Sequence, residues 1–203
     1  KKYGYVPCDM EMESVARTLE YAFDDRAIAR FASLTNHPDI CKEFLARSLN
    51  YKNVIDPQTL FACGKNSNGE WRTPFDPLSS SHRKDDYCEG NAWQWTFFVP
   101  HDVEGLAELM GGKQILASRL DSLFTMSSEL QGDDVSGDIS GLIGQYAHGN
   151  EPGHHTIYMY NKVDQPHKTQ KYVNRTLTTL YDNTPDGICG NEDTGQMSAW
   201  YVF

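Results

Sequence analysis

Between two helical regions, residues 51 to 90 form an unbroken run of turn signals, and this interruption limits the folds open to the chain. Asp56-Pro57, Asn66-Ser67-Asn68-Gly69, Thr73-Pro74, Asp76-Pro77 and Ser79-Ser80-Ser81 all fall inside it. Such clusters specify turns through the backbone freedom of Gly, the fixed φ of Pro and the local hydrogen bonds of Asn, Asp and Ser. A loop this long in a compact domain is uncommon and usually functional. On its N-terminal side, Val15, Leu19, Ala22, Phe23, Ala27 and Phe31 recur at three- and four-residue spacings. That spacing predicts a helix over 9–34 with one apolar face. Asn36-His37-Pro38 then starts a second helix, to about residue 50, and the two form an αα-hairpin.

The aromatic run 92–100 reads as a strand or as an extended entry into a helix. Helical signals return at 101–104 and over 113–125, separated by Gly111-Gly112. A Gly-rich stretch, 132–153, precedes further helices over 154–162 and 166–182, and a loop with Pro185, Gly187 and Gly190 leads into the last segment. Paired helices joined by short turns and then by long polar loops predict a mainly α array of helical hairpins, with a rim of loops carrying function and little strand.

Composition narrows the function. A hydrophobic fraction of 39% is globular, and the net charge of −10 argues against nucleic acid, which needs a basic face. No apolar run approaches the roughly 20 residues of a membrane-spanning helix. The five cysteines are irregularly spaced with no Cys-x-x-Cys pair, which predicts free thiols with one bridge as an open option. Asn174-Arg175-Thr176 is a glycosylation sequon, of consequence only in a eukaryotic secretory host. The sequence starts Lys1-Lys2-Tyr3 and stops on Trp200-Tyr201-Val202-Phe203, which predicts a segment of a longer chain.

Three loop motifs place acids and amides at helix boundaries. In Glu89-Gly90-Asn91-Ala92-Trp93-Gln94-Trp95, an acid beside two indoles suits a general acid with a raised pKa. Core indoles beside a solvated acid are the equally weighted reading. In His148-Gly149-Asn150-Glu151-Pro152-Gly153-His154-His155, Asn150 and Glu151 offer oxygen ligands for a hard cation. The histidines keep a transition metal open, although their spacing is not that of a zinc protease helix. In Gly190-Asn191-Glu192-Asp193-Thr194-Gly195-Gln196, adjacent acids suit either a helix cap or a base and metal ligand. Two acids on separate loops, oxygen ligands and indoles together are a toolkit for glycoside hydrolysis.

These motifs, with Gly4-Tyr5-Val6-Pro7-Cys8-Asp9, Ser14 to Tyr21 and Phe98-Val99-Pro100-His101-Asp102, run in the same order as in glycoside hydrolase family 92, which the sequence resembles along almost its whole length. The resemblance implies a calcium-dependent, inverting exo-α-mannosidase acting on mannose-containing glycans, secreted or held in the periplasm or at the cell surface. It implies an (α/α)6 barrel preceded by a β-sandwich domain that completes the site. Residues 1–203 would then be part of the barrel, not fully active alone, with the β-sandwich and remaining helices outside this chain.

By the same resemblance Glu89 is the general acid and Asp193 the general base. Asn150 and Glu151, with Asp193, hold Ca2+. Trp93 is assigned to a sugar subsite, with His154 and His155 as further subsite candidates. Asn191 stands where some members carry an assisting Asp, a departure from the family pattern. Two alternatives stay open: chemistry at a phosphate-bearing glycan, hinted at by Arg83 and Lys84, and a sugar-binding protein without catalysis.

Overall fold

The computed structural model describes residues 2–203. Helix α1 (Ser14–Leu34) starts later than its periodicity predicts, because Glu13 turns left-handed (φ 55°) and leaves 9–13 as turns. No side chain caps its first turn. Instead the Asp85 carbonyl accepts the Glu13 N–H at 2.7 Å, and the Asp86 carbonyl accepts those of Val15 and Ala16 at 2.9 and 3.2 Å. The orphan donors of a helix start are thus satisfied by the segment that leads into Glu89. Asp86 is buried, and Arg72 holds its carboxylate through Nε at 2.7 Å and Nη2 at 3.1 Å, the two-pronged geometry that makes such pairs strong.

The apolar stripe of α1 is only half used. Val15, Leu19 and Ala22 are buried, whereas Phe31 is 68% exposed and Phe23 is also open. The later part of α1 packs against α2 (Pro38–Arg47), none of whose residues is buried, and Arg47 joins Asp25 across the pair at 2.9 Å.

The turn-rich stretch contains a 3-10 turn (Asn50–Val54), two isolated antiparallel bridges and strand β1 (Ser79–Ser81). β1 pairs in parallel with β2 (Gln131–Asp134), Ser79 opposite Gln131 and Ser81 opposite Asp134. A Cβ at Gly132 would lie 1.9 Å from the Ser80 carbonyl oxygen, so only Gly permits that approach. The aromatic run folds as one helical turn, α3 (Ala92–Trp95), not as a strand. Asn91 decides this: its Oδ1 accepts from Trp93 N at 2.9 Å and Gln94 N at 3.3 Å, while Gln94 Oε1 accepts from Asn91 N at 2.6 Å. This reciprocal capping box starts a helix.

α4 (Val103–Leu109) and α5 (Lys113–Thr125) follow, then a short antiparallel hairpin of β3 (Leu142–Ile143) and β4 (Tyr146–Ala147). The helix expected over 154–162 is a tighter 3-10 segment, Thr156–Val163. α6 (Pro166–Thr179) and α7 (Gln196–Val202) complete the chain. Leu106, Leu116, Leu120, Phe124, Ile157 and Tyr160 form the centre of the core, each contributing about 1.5–3 kcal/mol if fully removed from water. The protein is helix-rich with four short strands among the described residues, all five cysteines are free, and no described helix is long and apolar enough to cross a membrane.

Candidate active site

Glu89 sits at the end of the segment that caps α1, in left-handed conformation (φ 49°). Gly90 follows because a Cβ there would stand 2.8 Å from the Trp95 indole, whose Nε1 donates to the Cys88 carbonyl at 2.7 Å. The half-buried carboxyl borders a cavity of about 20 Å³ lined by Trp95, Phe98, Tyr146 and Asn150, room for about one water and not for a sugar. Burial raises the Glu89 pKa, the charge of Asp138 raises it further, and His82 and Arg83 oppose the rise. A carboxyl whose pKa is raised in this way suits proton donation.

The second loop is laid against the first by Asn150, whose Nδ2 donates to the Glu89 carbonyl at 3.0 Å. Glu151 begins a 3-10 turn with Pro152 behind it. Its pKa is raised by burial, then by the neighbouring carboxylates of Asp193 and Glu89. Its Oε1 is buried without a hydrogen-bond partner.

The third loop reaches this point by backbone contact. A Cβ on Gly190 would lie 2.2 Å from the Gly149 carbonyl oxygen, and one on Gly149 would lie 2.7 Å from that of Cys189. The two glycines let the strands of chain cross, which brings Asp193 to Glu151. Asp193 is exposed, and it and Thr194 are both left-handed (φ 42° and 57°). Its neighbour Glu192 turns to α7, accepting from Ser198 N at 3.0 Å and Ser198 Oγ at 2.8 Å. The capping reading of this acid cluster thus holds for Glu192. Asn191 donates from Nδ2 to Asp138 Oδ1 at 3.2 Å.

Glu89, Asn150, Glu151 and Asp193 are thus brought together. Trp93, expected at a sugar subsite, lies in the core, edge-on to Phe61 at 4.8 Å and under the Arg119 guanidinium. The indole facing the cavity is that of Trp95. His154 is buried, its Nε2 3.0 Å from the His148 carbonyl and its ring stacked on His148 at 4.7 Å. His155 lies with Nε2 2.7 Å from the Phe97 carbonyl. Burial lowers both pKa values. Asp138, whose charge bears on Glu89, is the polar residue that sequence patterns did not single out for this site.

His148 is fully buried between two hydroxyls, Tyr146 Oη on Nδ1 at 2.8 Å and Tyr181 Oη on Nε2 at 2.7 Å. Tyr181 donates onward to the Met197 carbonyl at 3.3 Å. One neutral imidazole satisfies this line from the second loop to α7, with Nε2 protonated and Nδ1 accepting. Burial, and then His154, push its pKa down to about 3 from 6.5. As pH falls below 6.5 the unfolded chain takes the proton first, so this contribution to stability is lost between pH 6.5 and about 3. Urea midpoints should fall less steeply from about pH 7 to about pH 5 in His148→Gln, whose amide does not titrate. Equal slopes would contradict this role.

The oxygen set fits a hard cation: an unpartnered buried carboxylate oxygen on Glu151, the Asp193 carboxylate against it, and the Asn150 amide beside them. Among the described residues no three His, Cys, Asp or Glu side chains form a ready-made metal cluster.

The chain is similar to known proteins along its whole length. The glycosyl hydrolase family 92 catalytic domain matches residues 1–203. A family 92 α-mannosidase from Bacteroides thetaiotaomicron, solved with mannoimidazole, superposes with a TM-score of 0.93 at 46% identity, over 99% of this chain and 27% of that one. A family 92 inverting mannosidase from the same organism gives 0.82 at 40% identity, over 100% and 28%. An uncharacterized secreted glycosidase of Arthroderma benhamiae is 26% identical over 99% of this chain and 26% of its own length. The chain thus spans about a quarter of the proteins it matches. It belongs to glycosyl hydrolase family 92.

Proposed function

We propose that this chain carries the active-site loops of an inverting, calcium-assisted exo-α-mannosidase, secreted or held in the periplasm or at the cell surface, that removes terminal α-linked mannose from glycans. The observation that carries the reading is the meeting of Glu89, Glu151 and Asp193, from three loops far apart in sequence, with the Glu151 pKa raised by burial and then by the Asp193 and Glu89 carboxylates, and one of its oxygens unpartnered. Glu89, its pKa raised by burial, gives its proton to the departing glycosidic oxygen. Asp193, exposed on the opposite loop, takes a proton from the water that attacks the anomeric carbon. One displacement by water inverts the configuration, and it requires the two carboxyls to flank the sugar with space for that water.

Asn150, Glu151 and Asp193 would hold the calcium, which when bound supplies positive charge beside the mannose hydroxyls. The apolar side chains left open on the hairpin of α1 and α2, Phe31, Leu34, Ile40 and Leu45, fit burial by further helices of an (α/α)6 barrel, with a β-sandwich domain completing the site.

Hydrolysis of an aryl α-mannoside by the full-length protein tests the reading. Chelation should lower turnover about a hundredfold or more, and added calcium should restore it. Turnover indifferent to chelator would contradict the calcium site, and absence of any α-mannosidase activity would contradict the substrate.

A further inference from the structure

We infer that Asp138 is the positioning carboxylate of the base loop: it grips Asn191 and thereby sets where Asp193 stands. The inference rests on the reading of Asp193 as the base. The two oxygens of Asp138 have separate tasks. Oδ2 accepts from Ser136 Oγ at 2.9 Å, and that same hydroxyl accepts the Asp138 N–H at 3.3 Å, so the side chain is fixed within its own turn. Oδ1 is left for Asn191 Nδ2, at 3.2 Å. Asn191 is exposed, and its side chain makes no other hydrogen bond among the described residues.

The turn that carries Asp138 is itself anchored to the other loops. The Ser140 carbonyl accepts from Gly149 N at 3.1 Å and the Gly141 carbonyl from His148 N at 3.2 Å. Gly141 is left-handed (φ 59°), and a Cβ there would lie 2.3 Å from Cys189 Sγ. One short segment thus fixes the Asn150-Glu151 loop by backbone hydrogen bonds and the Asp193 loop through Asp138. The charge of Asp138 also bears on Glu89. Position 191 is neutral in this chain, and its amide donates to the Asp138 carboxylate.

The grip has a specific signature. Asn191→Asp sets a second carboxylate against Asp138, whereas Asp138→Asn combined with Asn191→Asp exchanges donor and acceptor and restores the pair. In the full-length enzyme, Asp138→Ala and Asn191→Asp should each lower kcat on an aryl α-mannoside about tenfold or more, with KM within about twofold. The double exchange should return kcat to within about threefold of wild type. A merely structural Asp138 gives no such recovery. Asn191→Asp at or above wild-type activity, or a double exchange as poor as Asn191→Asp alone, would overturn the inference. If wild type hydrolyses no mannoside, the mannosidase reading fails separately. Melting temperatures of the same variants then decide the pair: recovery in the double exchange supports it, and additive losses overturn it.

Discussion

Glu89→Gln should lower kcat on a mannose disaccharide by about 10²–10⁴ while costing far less on an aryl mannoside whose leaving group needs no proton. The asymmetry follows from the role. A general acid matters in proportion to the basicity of the departing oxygen, so a phenolate of low pKa leaves without help. Burial and the charge of Asp138 hold the Glu89 carboxyl above its ordinary range, and glutamine keeps its shape while removing the proton. Asp193→Asn should lose a comparable factor on both substrates, because activation of water does not depend on the leaving group. The measurement is kcat/KM for each variant on both substrates. Equal losses for Glu89→Gln would remove it from the acid role, and an aryl-selective rescue of Asp193→Asn would exchange the two assignments.

The second large effect is expected at a residue with no functional group. Gly190→Ala places a Cβ 2.2 Å from the carbonyl oxygen and 2.8 Å from the Cα of Gly149. Both partners are backbone, so no rotamer change relieves the clash and the two loops must separate. Overpacking of this kind costs about 1–3 kcal/mol of stability. A displacement of about 1 Å between catalytic groups costs about 10² in rate. Turnover should therefore fall by about two orders of magnitude in protein that remains folded by circular dichroism, with a modest drop in melting temperature. A variant with wild-type kcat would mean that the Gly149–Gly190 crossing does not set the distance between Glu151 and Asp193.

Much of the site was legible in sequence because its acids stand in Gly-flanked motifs, and the glycines have a physical use. Gly90 clears the Trp95 indole, and Gly149 and Gly190 clear each other's loops. What periodicity and spacing do not encode is which loops cross. Asp138 illustrates this: its partners Ser136 and Asn191 lie at very different sequence distances, and only the second links it to the Asp193 loop. Trp93 and Trp95 lie two apart on a single helical turn and face different ways, one to Phe61 and one to Cys88. Composition alone does not choose between them. The histidines of the second motif look like ligands in sequence, but burial keeps His148 and His154 neutral and occupied by hydroxyl and carbonyl partners.

The fold shows the same division between local and long-range causes. Capping of α3 by Asn91 and Gln94 is local, and it overrides the strand tendency of an aromatic run. The start of α1 depends on carbonyls more than seventy residues away at Asp85 and Asp86, so its periodicity overruns the true boundary. The exposure of Phe31 is equally invisible to a periodicity argument, which identifies an apolar stripe but not how far its packing partner extends.

The most direct test of the central claim, that three separate loops build one inverting site, is a crystal structure of the full-length enzyme with calcium and a mannose-like inhibitor. The cation should lie on Asn150, Glu151 and Asp193, and the carboxyls of Glu89 and Asp193 should flank the sugar about 6.5–9.5 Å apart. A cation bound elsewhere, or a Glu89–Asp193 separation near the ~5 Å of retaining enzymes, would contradict it.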